Sequence, residues 1–105
     1  MQCEKLFEEI DNLYPKYLKV WEDVCNIESP TNFKEGVDKV AEYFINMAEK
    51  LSWKVEVLKQ EVAGDVLVIT ANENSDEKPV CFSGHSDTVH PIGLFGSPAV
   101  KMDEE

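Results

Sequence analysis

The first part of the chain alternates apolar and charged residues with the period of an α-helix. Charged residues separate the apolar side chains, which recur every three or four positions at Leu6, Ile10, Leu13, Tyr17, Val20 and Val24. This spacing predicts an amphipathic helix. Pro15 interrupts the pattern, and it either kinks one helix or begins a second. The pattern ends near residues 28–30, since a residue that precedes a proline disfavours helical geometry.

A second apolar stripe follows and predicts a second helix. The stripe consists of Val37, Val40, Ala41, Phe44, Ala48 and Leu51. Asn32 is expected to cap this helix, and Glu35, three positions later, completes the pattern of a capping box. Lys50 near the end suits the negative pole of the helix.

Beyond Ser52 the apolar period changes to two, which is typical of β-strands. Residues 53–57 alternate apolar and charged side chains, as in a strand with one face in water. After a predicted turn at 63–65, the unbroken apolar run 66–70 predicts a strand covered on both faces. A third strand is predicted at 80–83. The expected fold class is α/β, with two N-terminal helices packed on a partial mixed β-sheet.

Composition and charge narrow the classes of partner. The chain has 105 residues, and its 21 acidic against 10 basic residues give a net charge of -11. Such a charge repels phosphate, which argues against nucleic acid and anionic membranes as partners. No stretch has the pattern of a signal peptide or of a membrane span, so we expect a soluble, cytoplasmic protein. The three widely spaced cysteines indicate reduced thiols, and Cys81 is expected to be a small buried residue.

The candidate chemistry lies just after the predicted third strand. That strand delivers His85 to its end, where α/β proteins usually gather reactive groups. Asp87 lies two residues on, and in extended backbone the two Cα atoms are roughly 6.6 Å apart on one face. The carboxylate can therefore reach the imidazole, and this partner fixes the tautomer of a histidine that binds zinc. On these residues alone, a lone His-x-Asp is common, and a purely structural histidine is the favoured interpretation.

A zinc site built only from nearby residues does not fit the spacing. Along a strand, Cys81 and His85 would be roughly 13 Å apart, too far for one ion to bridge. His90, just before Pro91, either faces the site or belongs to a loop.

The stretch Gly84-His85-Ser86-Asp87-Thr88-Val89 resembles the first metal motif of a zinc-dependent peptidase family. That family includes glutamate carboxypeptidase, aminoacylase, acetylornithine deacetylase and succinyl-diaminopimelate desuccinylase, and its motif is a strand followed by His-x-Asp-Thr-Val. The break at 27–31, the helix and the strands that precede the histidine are similar too. The continuation at 90–95 is most similar to the glutamate carboxypeptidase branch.

The resemblance implies a metal site and a role for each motif residue. His85 would bind one zinc of a two-zinc centre, with cobalt as an alternative metal. Asp87 would hydrogen-bond His85 and count as an active-site residue. Residues 1–105 would be the N-terminal part of the catalytic domain, without its later part or the dimerisation domain, and the full-length parent would be a homodimer. Glu104-Glu105 is expected to be a solvated turn and not the catalytic glutamate pair.

The implied reaction is hydrolysis of an amide bond next to a free carboxylate, in a small peptide or an N-acyl amino acid. Since a catalytic zinc needs about three protein ligands, we expect the 105-residue chain alone to bind zinc weakly and to be inactive. One alternative is a deacylase of the same family, such as an aminoacylase or a desuccinylase. The other is a non-catalytic α/β interaction domain that keeps the scaffold.

Overall fold

The computed structural model describes residues Gln2–Asp103, so the pair Glu104-Glu105 lies outside the described residues. Its regular elements are two helices followed by two strands: α1 (Gln2–Cys25), α2 (Lys34–Lys50), β1 (Lys54–Leu58) and β2 (Val66–Thr70). They belong to two compact units. The first unit joins residues up to Asn26 to those from Phe95 onward, and the second comprises Ile27–Leu94.

In the first unit, α1 is one continuous helix of 24 residues that runs through Pro15. This settles the choice between one helix and two. None of its side chains is buried, and Phe7 and Trp21 are 63% and 64% exposed. After the helix, the amide of Asn26 binds both backbone groups of Val100: its Nδ2 donates to the carbonyl and its Oδ1 accepts from the N–H, each at 2.8 Å.

In the second unit, α2 packs against a two-stranded antiparallel sheet and contacts both strands. The register pairs Val55 with Ile69 and Val57 with Leu67, so these four side chains share one face of the sheet. The buried aliphatic side chains all belong to α2, namely Val37, Val40, Ala41 and Ala48. Since burial of apolar surface is the main favourable term in folding, this helix face is the core of the unit.

A polar network joins α2 to the loop before β2. The carboxylate of Asp65, with 5% of its side chain exposed, accepts from Lys34 Nζ, Lys59 Nζ and the backbone N–H of Gln60, at 2.8, 2.8 and 2.9 Å. The N–H of Asp65 in turn donates to Asp38 Oδ1 at 2.8 Å. Lys34 first, and then Lys59, holds the pKa of Asp65 well below its ordinary value. The loop is thus tied to the first turns of the helix by charge-assisted bonds.

The structure confirms the mixed helix and strand content and corrects its details. The predicted helix and first two strands are present as α2, β1 and β2. The capping-box prediction was wrong: Phe33 precedes the first helical turn, and no side chain caps it. Asn32 lies one position too early, and Glu35 instead pairs with Lys39 at 2.8 Å.

The predicted mixed sheet was also wrong in two respects. The sheet among Gln2–Asp103 is purely antiparallel, and 80–83 is irregular, with Phe82 94% exposed. Apolar residues do not make a strand without a neighbour to accept their backbone hydrogen bonds. Two further expectations were wrong. β2 is not covered on both faces, since Val66 and Val68 are exposed, and Cys81 is an exposed thiol rather than a buried one.

Within the described part of the chain, neither helix is both long enough and apolar enough to cross a bilayer.

Candidate functional site

A short segment before α2, residues 28–31, holds the His85 motif in place; we call it the strap. The strap meets the motif through a parallel bridge between Pro30 and Thr88. The N–H of Thr31 donates to the Thr88 carbonyl at 3.1 Å, and the N–H of Thr88 donates to the Ser29 carbonyl at 2.8 Å. The proline suits its place because the bridge uses the backbone groups on either side of it and needs no N–H at Pro30 itself.

Side chains of the strap strengthen the bridge. Ser29 is 2% exposed, and its hydroxyl donates to the carbonyl of Ser86 at 3.0 Å. The carboxylate of Glu28 accepts from the N–H of Gly93. The motif is therefore held by side chains on both sides of the backbone bridge.

The first turn of α2 supports the strap from behind. At Gly36, an added Cβ would lie 2.1 Å from the carbonyl oxygen of Glu28, so only glycine allows this approach of helix and strap.

His85 and Asp87 are in direct contact. The Nδ1 of His85 lies 3.0 Å from Asp87 Oδ1 and 3.0 Å from the backbone carbonyl of Asp87. Neither an ionised carboxylate nor a carbonyl can donate, so Nδ1 must carry the proton. In the neutral ring, Nε2 then carries the lone pair. The spacing of the two residues predicted this contact; their roles as metal ligand and partner stay predictions.

Asp87 is itself held by the strap. Its second carboxylate oxygen, Oδ2, accepts from the hydroxyl of Thr31 at 2.6 Å. Mainly through that bond, the pKa of Asp87 lies below its ordinary value, so the group is ionised at neutral pH. A chain of two hydrogen bonds therefore runs from Thr31 through Asp87 to the imidazole.

The pair lines an open cleft of about 690 Å³ in the second unit. Its wall is largely apolar, formed by Val37, Ala41, Phe44, Leu67, Ile69 and Phe82, and His85 and Asp87 line it as well. An apolar cavity with a few convergent polar groups is the usual form of a small-molecule site. The imidazole remains accessible, with 83% of its side chain exposed.

Sequence reasoning identified part of this site. It pointed to His85 and Asp87, which the structure brings together, and it missed Ser29 and Thr31. The dipeptide Ser29-Pro30 carried a usable signal, because the residue before proline favours extended backbone that can bridge to another segment. His90 lies in the bend after the bridge.

Comparison with known proteins does not assign the chain to a family, since no family model, no characterised protein and no solved structure matches it. Between Gln2 and Asp103, no three His, Cys, Asp or Glu side chains are grouped so that they could hold a metal ion.

Proposed function

We propose that this chain supplies the first metal ligand of a zinc-dependent hydrolase that cleaves an amide bond next to a free carboxylate. His85 is that ligand, and Asp87 is the active-site residue that orients it. The observation that carries the proposal is the contact of His85 Nδ1 with two acceptor oxygens of Asp87. The choice of reaction rests on the resemblance of residues 84–89 to the zinc peptidase motif.

The donor chemistry of the pair fits one zinc ligand. With its proton on Nδ1 and engaged by Asp87, the ring offers Nε2 as an unprotonated nitrogen in a fixed orientation. A bound zinc would supply Lewis-acid polarisation of the scissile carbonyl and would lower the pKa of water. By the same resemblance, the other ligands, the glutamate base and a dimerisation domain belong to later positions of a longer chain.

The cleft supports a small substrate. Its volume of about 690 Å³ is in the range of small-molecule sites, and its apolar wall suits the side chain or the acyl group of a short peptide or an N-acyl amino acid. A net charge of -11 disfavours nucleic acid in the same place. The two family alternatives, carboxypeptidase and deacylase, share every motif residue, and we propose the carboxypeptidase branch on the likeness of 90–95.

The test of the metal ligand is a zinc titration of the chain by calorimetry. The chain has two histidines, so His90→Ala is a matched control for His85→Ala. We expect weak binding by the unchanged chain and by His90→Ala, and loss of that binding in His85→Ala. Equal binding by His85→Ala and the unchanged chain would contradict the proposal. The zinc-loaded chain should not hydrolyse N-acyl amino acids, because one ligand does not build a catalytic site.

Reading the gene beyond the codon for Glu105 tests the reaction. The proposal expects a glycine-rich segment with an aspartate soon after it, then a Glu-Glu pair and a later histidine. A stop codon, or a continuation without these acids, would favour the non-catalytic interaction domain instead.

A further inference from the structure

We propose that Thr31 is a positioning residue of this site: its hydroxyl orients Asp87, and Asp87 thereby keeps His85 in the tautomer that leaves Nε2 unprotonated. The consequence of this tautomer for metal binding rests on the proposed function. The hydrogen bonds from Thr31 to Asp87 and from His85 to Asp87 are independent of that function.

The Thr31 hydroxyl has a choice of two acceptors. Two oxygens lie within reach: Asp87 Oδ2 at 2.6 Å and the backbone carbonyl of Thr88 at 3.2 Å. The hydroxyl has one proton, and a bond to an ionised carboxylate is both shorter and stronger than one to a neutral carbonyl. Its proton therefore goes to Asp87.

The bond from Thr31 fixes the orientation of the Asp87 carboxylate. An aspartate carboxyl rotates broadly about its last torsion, and this side chain is 33% exposed. In the structure its two oxygens have different side-chain partners: Oδ2 accepts from Thr31 and Oδ1 from His85 Nδ1. The hydroxyl thus stops the rotation at the orientation that presents Oδ1 to the ring.

The Thr31 hydroxyl can be removed without disturbing the bridge between the strap and Thr88. The strap is joined to Thr88 by backbone hydrogen bonds, and the buried hydroxyl of Ser29 adds another to Ser86. None of these uses the side chain of Thr31. Valine has the same branched shape as threonine and suits extended backbone, so Thr31→Val removes the bond to Asp87 and keeps the bridge.

The experiment is long-range ¹⁵N NMR of the two imidazole rings at a pH where both are neutral, with His90→Ala assigning the signals. We expect the unchanged chain to hold His85 as the Nδ1–H tautomer. Thr31→Val should raise the ratio of Nε2–H to Nδ1–H roughly fivefold, as the loss of one hydrogen bond predicts. Thr31→Ser keeps the hydroxyl and should match the unchanged chain. Thr70→Val, the same change in β2, is the matched control.

Two results would overturn the inference: an unchanged tautomer ratio in Thr31→Val, or an equal shift in Thr31→Val and Thr31→Ser. Far-ultraviolet circular dichroism checks that each variant is folded, and Thr31→Ala replaces Thr31→Val if valine is not accepted. Zinc titration separates the two proposals. If His85→Ala leaves zinc binding unchanged, the proposal that His85 is a metal ligand is wrong, whichever tautomer is found. If His85→Ala abolishes zinc binding but Thr31→Val leaves the tautomer ratio unchanged, only the proposal for Thr31 is wrong.

Discussion

The two helices of this chain are equally amphipathic in sequence, yet their apolar faces have different surroundings. In α2, five residues are buried: Gly36, Val37, Val40, Ala41 and Ala48. In α1, which is longer, none is buried. A periodic apolar stripe predicts which face of a helix can be covered, but only a second element at the right distance covers it.

Gly64, in the loop before β2, packs closely against α2. A Cβ at Gly64 would lie 2.2 Å from Cγ1 and 2.6 Å from Cβ of Val37, which is itself buried. Because the Cβ of Val37 cannot move without the helix, we expect Gly64→Ala to lower the free energy of unfolding by about 3 kcal/mol. The measurement is urea unfolding followed by Trp53 fluorescence in a Trp21→Phe background.

The matched control for that experiment is Gly84→Ala, since a Cβ at Gly84 meets nothing within 4 Å. Its unfolding midpoint should stay near that of the unchanged chain. Equal losses in the two alanine variants would mean that the contact between loop and helix does not decide the stability of this unit.

The next effect compares one apolar residue from each helix. Val40 is 1% exposed and Leu6 is 58% exposed. Removing two methyl groups from a packed core should cost about 2 kcal/mol in Val40→Ala, whereas Leu6→Ala should change stability by no more than ~0.5 kcal/mol. Thermal unfolding of both variants gives the comparison. A loss in Leu6→Ala as large as that in Val40→Ala would show that the α1 face is covered in solution.

The smallest effect concerns the network around Asp65. Lys34 and Lys59 lower the pKa of this carboxyl below its ordinary value of 3.8 in the folded chain. A group with a depressed folded pKa stabilises the fold above its unfolded pKa, and that stabilisation is lost as the pH falls below it. Asp65→Asn should therefore be less stable than the unchanged chain at pH 7, and the difference should shrink from pH 4 downward. Unfolding midpoints at pH 7, 4 and 3 test this, and a difference independent of pH would contradict it.

Local patterns in the sequence were enough for α2, β1 and β2. The stripe from Val37 to Ala48 and the alternation after Ser52 each describe an element whose neighbours lie close in the chain. The contact of Asp87 with His85 was predictable for the same reason, since the two residues are two positions apart.

Local patterns failed where the outcome depended on a distant partner. The segment 80–83 has the composition of a strand but no adjacent strand in the described structure, so it is irregular. The capping residue was misplaced because residues 30–33 form a turn, with the N–H of Phe33 donating to the Pro30 carbonyl at 2.8 Å. Thr31 could not be connected with Asp87 at all, because 56 positions separate them.

The amino-acid sequence by itself determined the helical and extended segments, the acidic charge, and the pairing of a histidine with the carboxylate two residues on. These follow from the geometry of a few neighbouring residues and from the chemistry of single side chains. Only the tertiary structure decided which apolar face is buried and which group holds Asp87. Both depend on contacts between segments far apart in the chain. The sheet packs on one face of α2, and the strap is bridged to Thr88.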